Sequence, residues 1–118
     1  MIVEGLINTR ALQRFNSEID ATMQSTKDGR DSMSPAHQFF FGEQTRHIAG
    51  IAGRSRTFVD EILLNPLALG VCHNVLLPNC ASYRLNIAHV LDRGPGSTQQ
   101  YLHRDDEIYS FLPRIKSK

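Results

Sequence analysis

The chain has 118 residues, 41% of them hydrophobic and 21% charged, with a formal net charge of +1. That length supports one domain with a modest core and excludes two comfortable ones, and the composition is that of a folded chain rather than a disordered one. Acids and bases are interspersed, so there is no electrostatic footprint for nucleic acid or for an anionic membrane surface.

Cys72 and Cys80 lack the C-x-x-C spacing of a zinc or dithiol site and read as buried free thiols. No basic-then-apolar leader precedes a small-residue cleavage site, which makes an intracellular, cytoplasmic location the expectation. The most apolar region, Ile62 to Leu77, is interrupted by Asn65, Pro66, Gly70, His73 and Asn74 and cannot supply the roughly 20 uninterrupted residues of a membrane span.

In chain order, Met1 to Ile7 reads as the end of a strand followed by a turn. Asn8 or Thr9 then caps an amphipathic helix with Leu12, Phe15, Ile19 and Met23 facing inward, and Arg10, Gln13, Arg14, Asn16 and Glu18 left to solvent. From Ser25 to Pro35 the polar composition predicts a surface loop. Phe39, Phe40 and Phe41 follow, and such a run must be largely docked, as packing under a long loop more readily than as substrate contact. Glu43 to Arg54 reads as a short irregular helix and turn.

Ser55 or Thr57 caps a helix with Phe58, Val59, Ile62 and Leu63 on its inner stripe, ending near Leu64. Asn65-Pro66 restarts the chain as N-cap and first helical residue, and Leu67, Gly70, Val71, Asn74 and Val75 form a buried stripe that Pro78 terminates. After Cys80 the period changes from helical to two: Tyr83, Leu85, Ile87 and His89 alternate with Arg84, Asn86, Ala88 and Val90. A glycine-marked turn from Asp92 to Thr98 then predicts a hairpin whose second strand carries Gln100, Leu102, His103 and Asp105. Ile108, Tyr109, Phe111 and Leu112 continue the apolar pattern before a polar tail.

That second strand bears the strongest chemical signal. In an extended chain His103 and Asp105 share a face with Cα atoms about 6.5 Å apart, while Arg104 and Asp106 point the other way. An imidazole and a carboxylate so placed are two parts of the 2-His-1-carboxylate set that holds non-haem Fe(II). None of His37, His47, His73 or His89 is a convincing third ligand; His89, on the preceding strand, reads as a half-buried histidine with its hydrogen bonds satisfied. Phosphate-loop, dinucleotide and serine-hydrolase motifs are absent from the sequence.

The run from Pro95 to Asp106, with Gln100, Leu102, His103, Arg104, Asp105 and Asp106 in the pattern Q-x-L-H-R-D-D, resembles the phytanoyl-CoA dioxygenase family, particularly its fungal members. Phe41-Gly42-Glu43-x-Thr45-Arg46, Arg54-Ser55-x-x-Phe58 and Tyr83-x-Leu85-Asn86 extend the resemblance over most of the chain in the family's order. It implies an α+β architecture in which N-terminal amphipathic helices pack on the first strands of a double-stranded β-helix, or jelly roll. It also implies an oxygenase that uses Fe(II) with 2-oxoglutarate as cosubstrate to hydroxylate or desaturate a small organic substrate.

By position, the resemblance makes His103 and Asp105 iron ligands and Gln100 a contact of 2-oxoglutarate. Family domains are more than twice as long, and their distal histidine and cosubstrate-clasping arginine lie well downstream, whereas 12 residues follow Asp106 here. Residues 1–118 are therefore expected to be the N-terminal part of one such domain, incomplete and weakly active or inactive alone. The rival expectation is a non-catalytic module of helices and a hairpin that dimerises or binds a partner through an uncovered apolar face. A hydrolase or lyase using His103 and Asp105 as acid and base ranks lowest, since no nucleophile or anion site accompanies them.

Overall fold

Asn8 starts the first helix. In the computed structural model, which describes residues 2–103 and 105, its side-chain oxygen accepts the Ala11 N–H at 2.8 Å and opens α1, Thr9–Ser25. Upstream, Ile2 and Val3 are exposed and form no strand, contrary to the expectation for the N-terminus. Phe15, Ile19 and Met23 turn inward as expected, but Ala11 replaces Leu12 at the head of the stripe and Leu12 is exposed. Two of the polar residues assigned to solvent are in fact ties: Arg14 pairs with Glu61, and Glu18 reaches Ser55 and Thr57.

The expected loop from Ser25 to Pro35 instead holds two short helices, α2 at Gly29–Ser32 and the start of α3 at Pro35–Phe41. The cause is capping. Asp28 accepts the Arg30 N–H, and Ser34-Pro35 supplies an N-cap and a first helical residue whose missing N–H costs nothing there. Phe39, Phe40 and Phe41 are consequently helical. Gln38 fastens α3 to α2 by donating to the carbonyls of Met33 (2.9 Å) and Gly29 (3.1 Å). A β-carbon at Gly29 would lie 2.7 Å from the Gly42 carbonyl oxygen, so only glycine permits this approach.

The stretch expected as an irregular helix begins with a strand, β1, Thr45–Ile48, followed by a 3₁₀ turn at Ile51–Gly53. β1 pairs antiparallel with β2, Val90–Arg93, matching Thr45 to Arg93, Arg46 to Asp92, His47 to Leu91 and Ile48 to Val90. The expected hairpin between 83–91 and 100–105 is not formed; residues 82–89 and 99–103 lack regular strand structure. β2 has taken a distant partner instead. Arg46 donates from Nε to Asp92 at 2.8 Å directly across the ladder and from Nη1 to the Met23 carbonyl at 3.0 Å, which joins the end of α1 to the sheet.

Ser55 makes the expected cap, its hydroxyl accepting the Phe58 N–H at 2.8 Å. The following segment, Phe58–Leu63, winds as a π-helix and stops at Leu64 as anticipated. Asn65 caps α4, Pro66–Leu76, through the Leu67 and Ala68 N–H groups. The predicted burial of α4 fails: no residue of it is buried, and Leu67, Val71 and Val75 are 52%, 38% and 61% exposed. Among the described residues the buried side chains are Ala11, Ile19, Ile48 and Ile51 with Thr45, Ser55 and Thr57. The core therefore sits where α1 crosses β1 and the Ile51–Thr57 connection, away from α4.

Helices with a two-stranded antiparallel sheet make up the described residues. No helix among them is long and apolar enough to cross a membrane. Arg104, Asp106 and the apolar positions Ile108 to Leu112 lie outside the described residues.

Candidate metal centre

β2 feeds directly into the turn that presents the site. The Gly94 N–H donates to the Gln44 carbonyl at 2.9 Å, carrying the ladder one step past Arg93. The Ser97 N–H and hydroxyl then return to the Gly94 carbonyl at 3.2 and 2.7 Å. The Arg93 guanidinium donates to the Thr98 carbonyl and holds the outgoing chain against the turn. The tight turn expected from Gly94-Pro95-Gly96 is thus present.

His103 and Asp105 do come together, although not on a strand. His103 Nε2 and Asp105 Oδ1 are 3.3 Å apart. The other ring nitrogen, Nδ1, lies 2.9 Å from the Tyr101 carbonyl oxygen. A carbonyl only accepts, so Nδ1 carries a hydrogen, which leaves Nε2, on the side of the carboxylate, as the nitrogen that can ligate. That is the arrangement by which a backbone carbonyl orients a ligating histidine. Two donors sharing a cation at bond lengths of about 2.0–2.2 Å stand roughly 2.8–3.6 Å apart, so the pair fits one small divalent ion.

The two sides of the site differ. His103 is largely covered, with its side chain 22% exposed, while Asp105 stands open at 93%. Phe40 covers the imidazole edge-on at 4.7 Å between ring centroids and Tyr101 at 5.7 Å, the two lying 5.5 Å from each other. Phe40 of the aromatic run thus walls the candidate site, the contact role weighed as the lesser alternative to packing, while Phe39 is exposed. The signal for that placement was the Ser34-Pro35 helix start, which makes the run helical.

Gln100 is half-buried. The cleft beside it, about 500 Å³, is lined by Phe39, Gln44, Ser97, Gln99 and Tyr101 among others, and it is Gln99 that contributes its wall. No group of three or more His, Cys, Asp or Glu side chains able to hold a metal exists among the described residues. His37 rests on Ser34 and Phe41, and His73 against Tyr83. His89 has the hydrogen-bond partner expected of it, but it is exposed rather than half-buried, and the partner is His47 at 2.7 Å. Cys72 and Cys80 are free thiols, half-buried rather than fully buried.

What the described residues bring together after the glycine turn is thus an imidazole oriented by a backbone carbonyl and a carboxylate facing it. No family model matches the chain. It is similar, however, to curated fungal proteins named as dioxygenases. Dioxygenase olcK of Penicillium canescens is 29% identical over 109 residues, 92% of this chain and 36% of that protein. Dioxygenase trt7 of Aspergillus terreus is 29% identical over 110 residues, 93% of this chain and 37% of that protein. Dioxygenase aneA of Aspergillus aculeatus is 30% identical over 109 residues, again 92% of this chain and 37% of the relative. The chain spans less than two fifths of the length of these relatives, and the similarity supports a relationship to oxidoreductases of the dioxygenase type.

Proposed function

We propose that this chain carries the first part of the iron site of an Fe(II)- and 2-oxoglutarate-dependent dioxygenase of the phytanoyl-CoA dioxygenase type. In the whole protein the site would lie in a double-stranded β-helix and hydroxylate or desaturate a small organic substrate. The observation that carries this reading is the separation of 3.3 Å between His103 Nε2 and Asp105 Oδ1, with Nδ1 committed to the Tyr101 carbonyl. The names of the fungal relatives support the oxidative class.

In this reading His103 Nε2 and an Asp105 oxygen hold the metal. When bound, iron would supply the means of activating dioxygen at the expense of 2-oxoglutarate. The Tyr101 carbonyl keeps the hydrogen on His103 Nδ1 and so keeps Nε2 available. Phe40 and Tyr101 exclude water from one side of the imidazole, while the open side at Asp105 admits cosubstrate and substrate. Gln100, by its place in the motif, contacts 2-oxoglutarate. Turnover belongs to the whole-length protein, and this chain alone is weakly active or inactive.

Anaerobic Fe(II) titration by calorimetry tests the assignment. One weak binding event that is lost in His103→Ala and in Asp105→Ala is expected. Unchanged binding in either variant removes the site, and micromolar affinity with coupled 2-oxoglutarate decarboxylation overturns the proposal of weak activity.

One observation favours a second reading, a module that associates through an apolar face. Leu67, Val71, Val75, Leu76 and Leu77, on and just after α4, are each more than a third exposed. A concentration-dependent dimer in light scattering, indifferent to metal and to His103→Ala, would favour that module over the enzyme; a monomer would exclude it.

A further inference from the structure

We infer that His47 and His89 form a second metal site, independent of His103 and Asp105, which takes one divalent transition-metal ion of tetragonal preference, Cu(II) or Ni(II). His47 Nε2 and His89 Nδ1 lie 2.7 Å apart, with ring centroids at 4.4 Å and planes inclined by 69°.

The fold brings them together without a loop having to close. His47 lies in β1 opposite Leu91, and His89 is two residues before Leu91, so the two share one face of the ladder as diagonal neighbours. The surrounding pairs, Arg46 with Asp92 and Ile48 with Val90, fix the register, so little ordering remains to be done when a ligand arrives. Phe41, 5.1 Å from the His47 ring, backs the site, and His89 leaves it open to water.

Two nitrogens at this distance already share a hydrogen, which belongs to one ring and is accepted by the other. Ligation moves that hydrogen to the other nitrogen of the same ring, so both facing nitrogens become donors and no net proton is released from the neutral pair. His47 is held in the neutral form that a metal needs: burial lowers its pKa from the ordinary 6.5, and the neighbouring charges of His89 and His37 add to this.

The spacing lies nearer one coordination geometry than another. Two imidazoles cis on a square plane, at bond lengths of about 2.0–2.1 Å, have nitrogens roughly 2.8–3.0 Å apart, whereas a tetrahedral ion sets them at about 3.3–3.4 Å. The observed 2.7 Å is close to the first value. Both histidines lie outside the motif that relates the chain to oxygenases, and the site stands whether or not His103 and Asp105 bind iron.

The test is titration of Ni(II) and Cu(II) into the full chain carrying His103→Ala, so that the first site is silent. One ion per chain is expected, Cu(II) tighter than Ni(II) and Zn(II) weaker than Cu(II), with at least a tenfold loss of affinity on adding either His47→Gln or His89→Gln. Saturating Ni(II) should raise the melting temperature of the parent and leave that of each histidine variant unmoved. Equal binding in the parent and the variants, or no binding in the parent, overturns the inference. Should a variant fail to fold, electron paramagnetic resonance of the Cu(II)-loaded parent decides: couplings to two imidazole nitrogens uphold the site, and one or none refutes it.

Discussion

The carboxylate of Glu18, in the middle of α1, accepts the hydroxyl of Thr57 at 2.6 Å across the core. The same carboxylate accepts the Ser55 hydroxyl at 2.5 Å and the Thr57 N–H at 3.1 Å. One acidic side chain thereby satisfies three donors where the chain enters the π-helix, and both residues that supply them are almost wholly buried. These bonds, the Ser55 hydroxyl first, hold the Glu18 pKa below its ordinary value of 4.5.

Ser55→Ala removes both this bond and the cap on the Phe58 N–H, and should cost about 1–2 kcal/mol, measured as a shift of the urea midpoint without a change of slope. Glu18→Gln should be the milder change near neutrality. The stabilisation from Glu18 is present above pH 4.5 and is lost as pH falls through the lower folded value, so wild type and variant should converge in acid.

His47 acts in the opposite sense from a paired histidine. Its folded pKa lies below 6.5, so between the two values the unfolded chain holds more protons than the folded one. Stability should fall as pH drops through 6.5 and level off below the folded value, with His47→Gln flattening that part of the curve. Denaturant midpoints from about pH 8 to about pH 5 measure it; a slope unchanged in the variant would place the proton uptake elsewhere.

Ile51, 1% exposed, is the largest fully buried side chain among the described residues and opens the 3₁₀ turn that follows β1. Ile51→Ala should cost about 2–5 kcal/mol, a large share of the stability of a domain this size. Leu67→Ala, at a side chain 52% exposed on α4, should cost far less. Paired thermal melts of the two variants give the contrast.

Gly42 closes α3 at φ +91° and ψ +142°, a region that essentially only glycine visits. Gly42→Ala should therefore lose about 1–3 kcal/mol. It should also disturb the bond from the Thr45 hydroxyl to the Phe41 carbonyl, since the new β-carbon would meet Thr45 Oγ1 at 3.4 Å. Near-ultraviolet circular dichroism, reading the aromatic run of α3, should change along with the melting point.

Features legible in advance were those written in a few adjacent residues. Asn8, Ser55 and Asn65 each cap within three residues of themselves, and Gly94-Pro95-Gly96 makes its own turn. His103 and Asp105 belong here too, since two residues of chain keep them close whether or not the backbone is a strand. Two local signals were misread. Ser34-Pro35 starts a helix inside what looked like loop, and the alternation from Tyr83 to His89 marks no strand until Val90.

By itself, then, the sequence determined the helix starts, the glycine turn and the His-x-Asp pair, because capping, turn geometry and short-range proximity act over one to four residues. The tertiary structure decided that β2 pairs with β1 rather than with the segment after the turn, that Glu18 serves Ser55 and Thr57, and that His47 meets His89. It also left α4 uncovered where its stripe of apolar residues promised burial. Each of these is a choice among distant partners, settled by which arrangement satisfies buried donors and apolar surface together, and periodicity along the chain does not encode that choice.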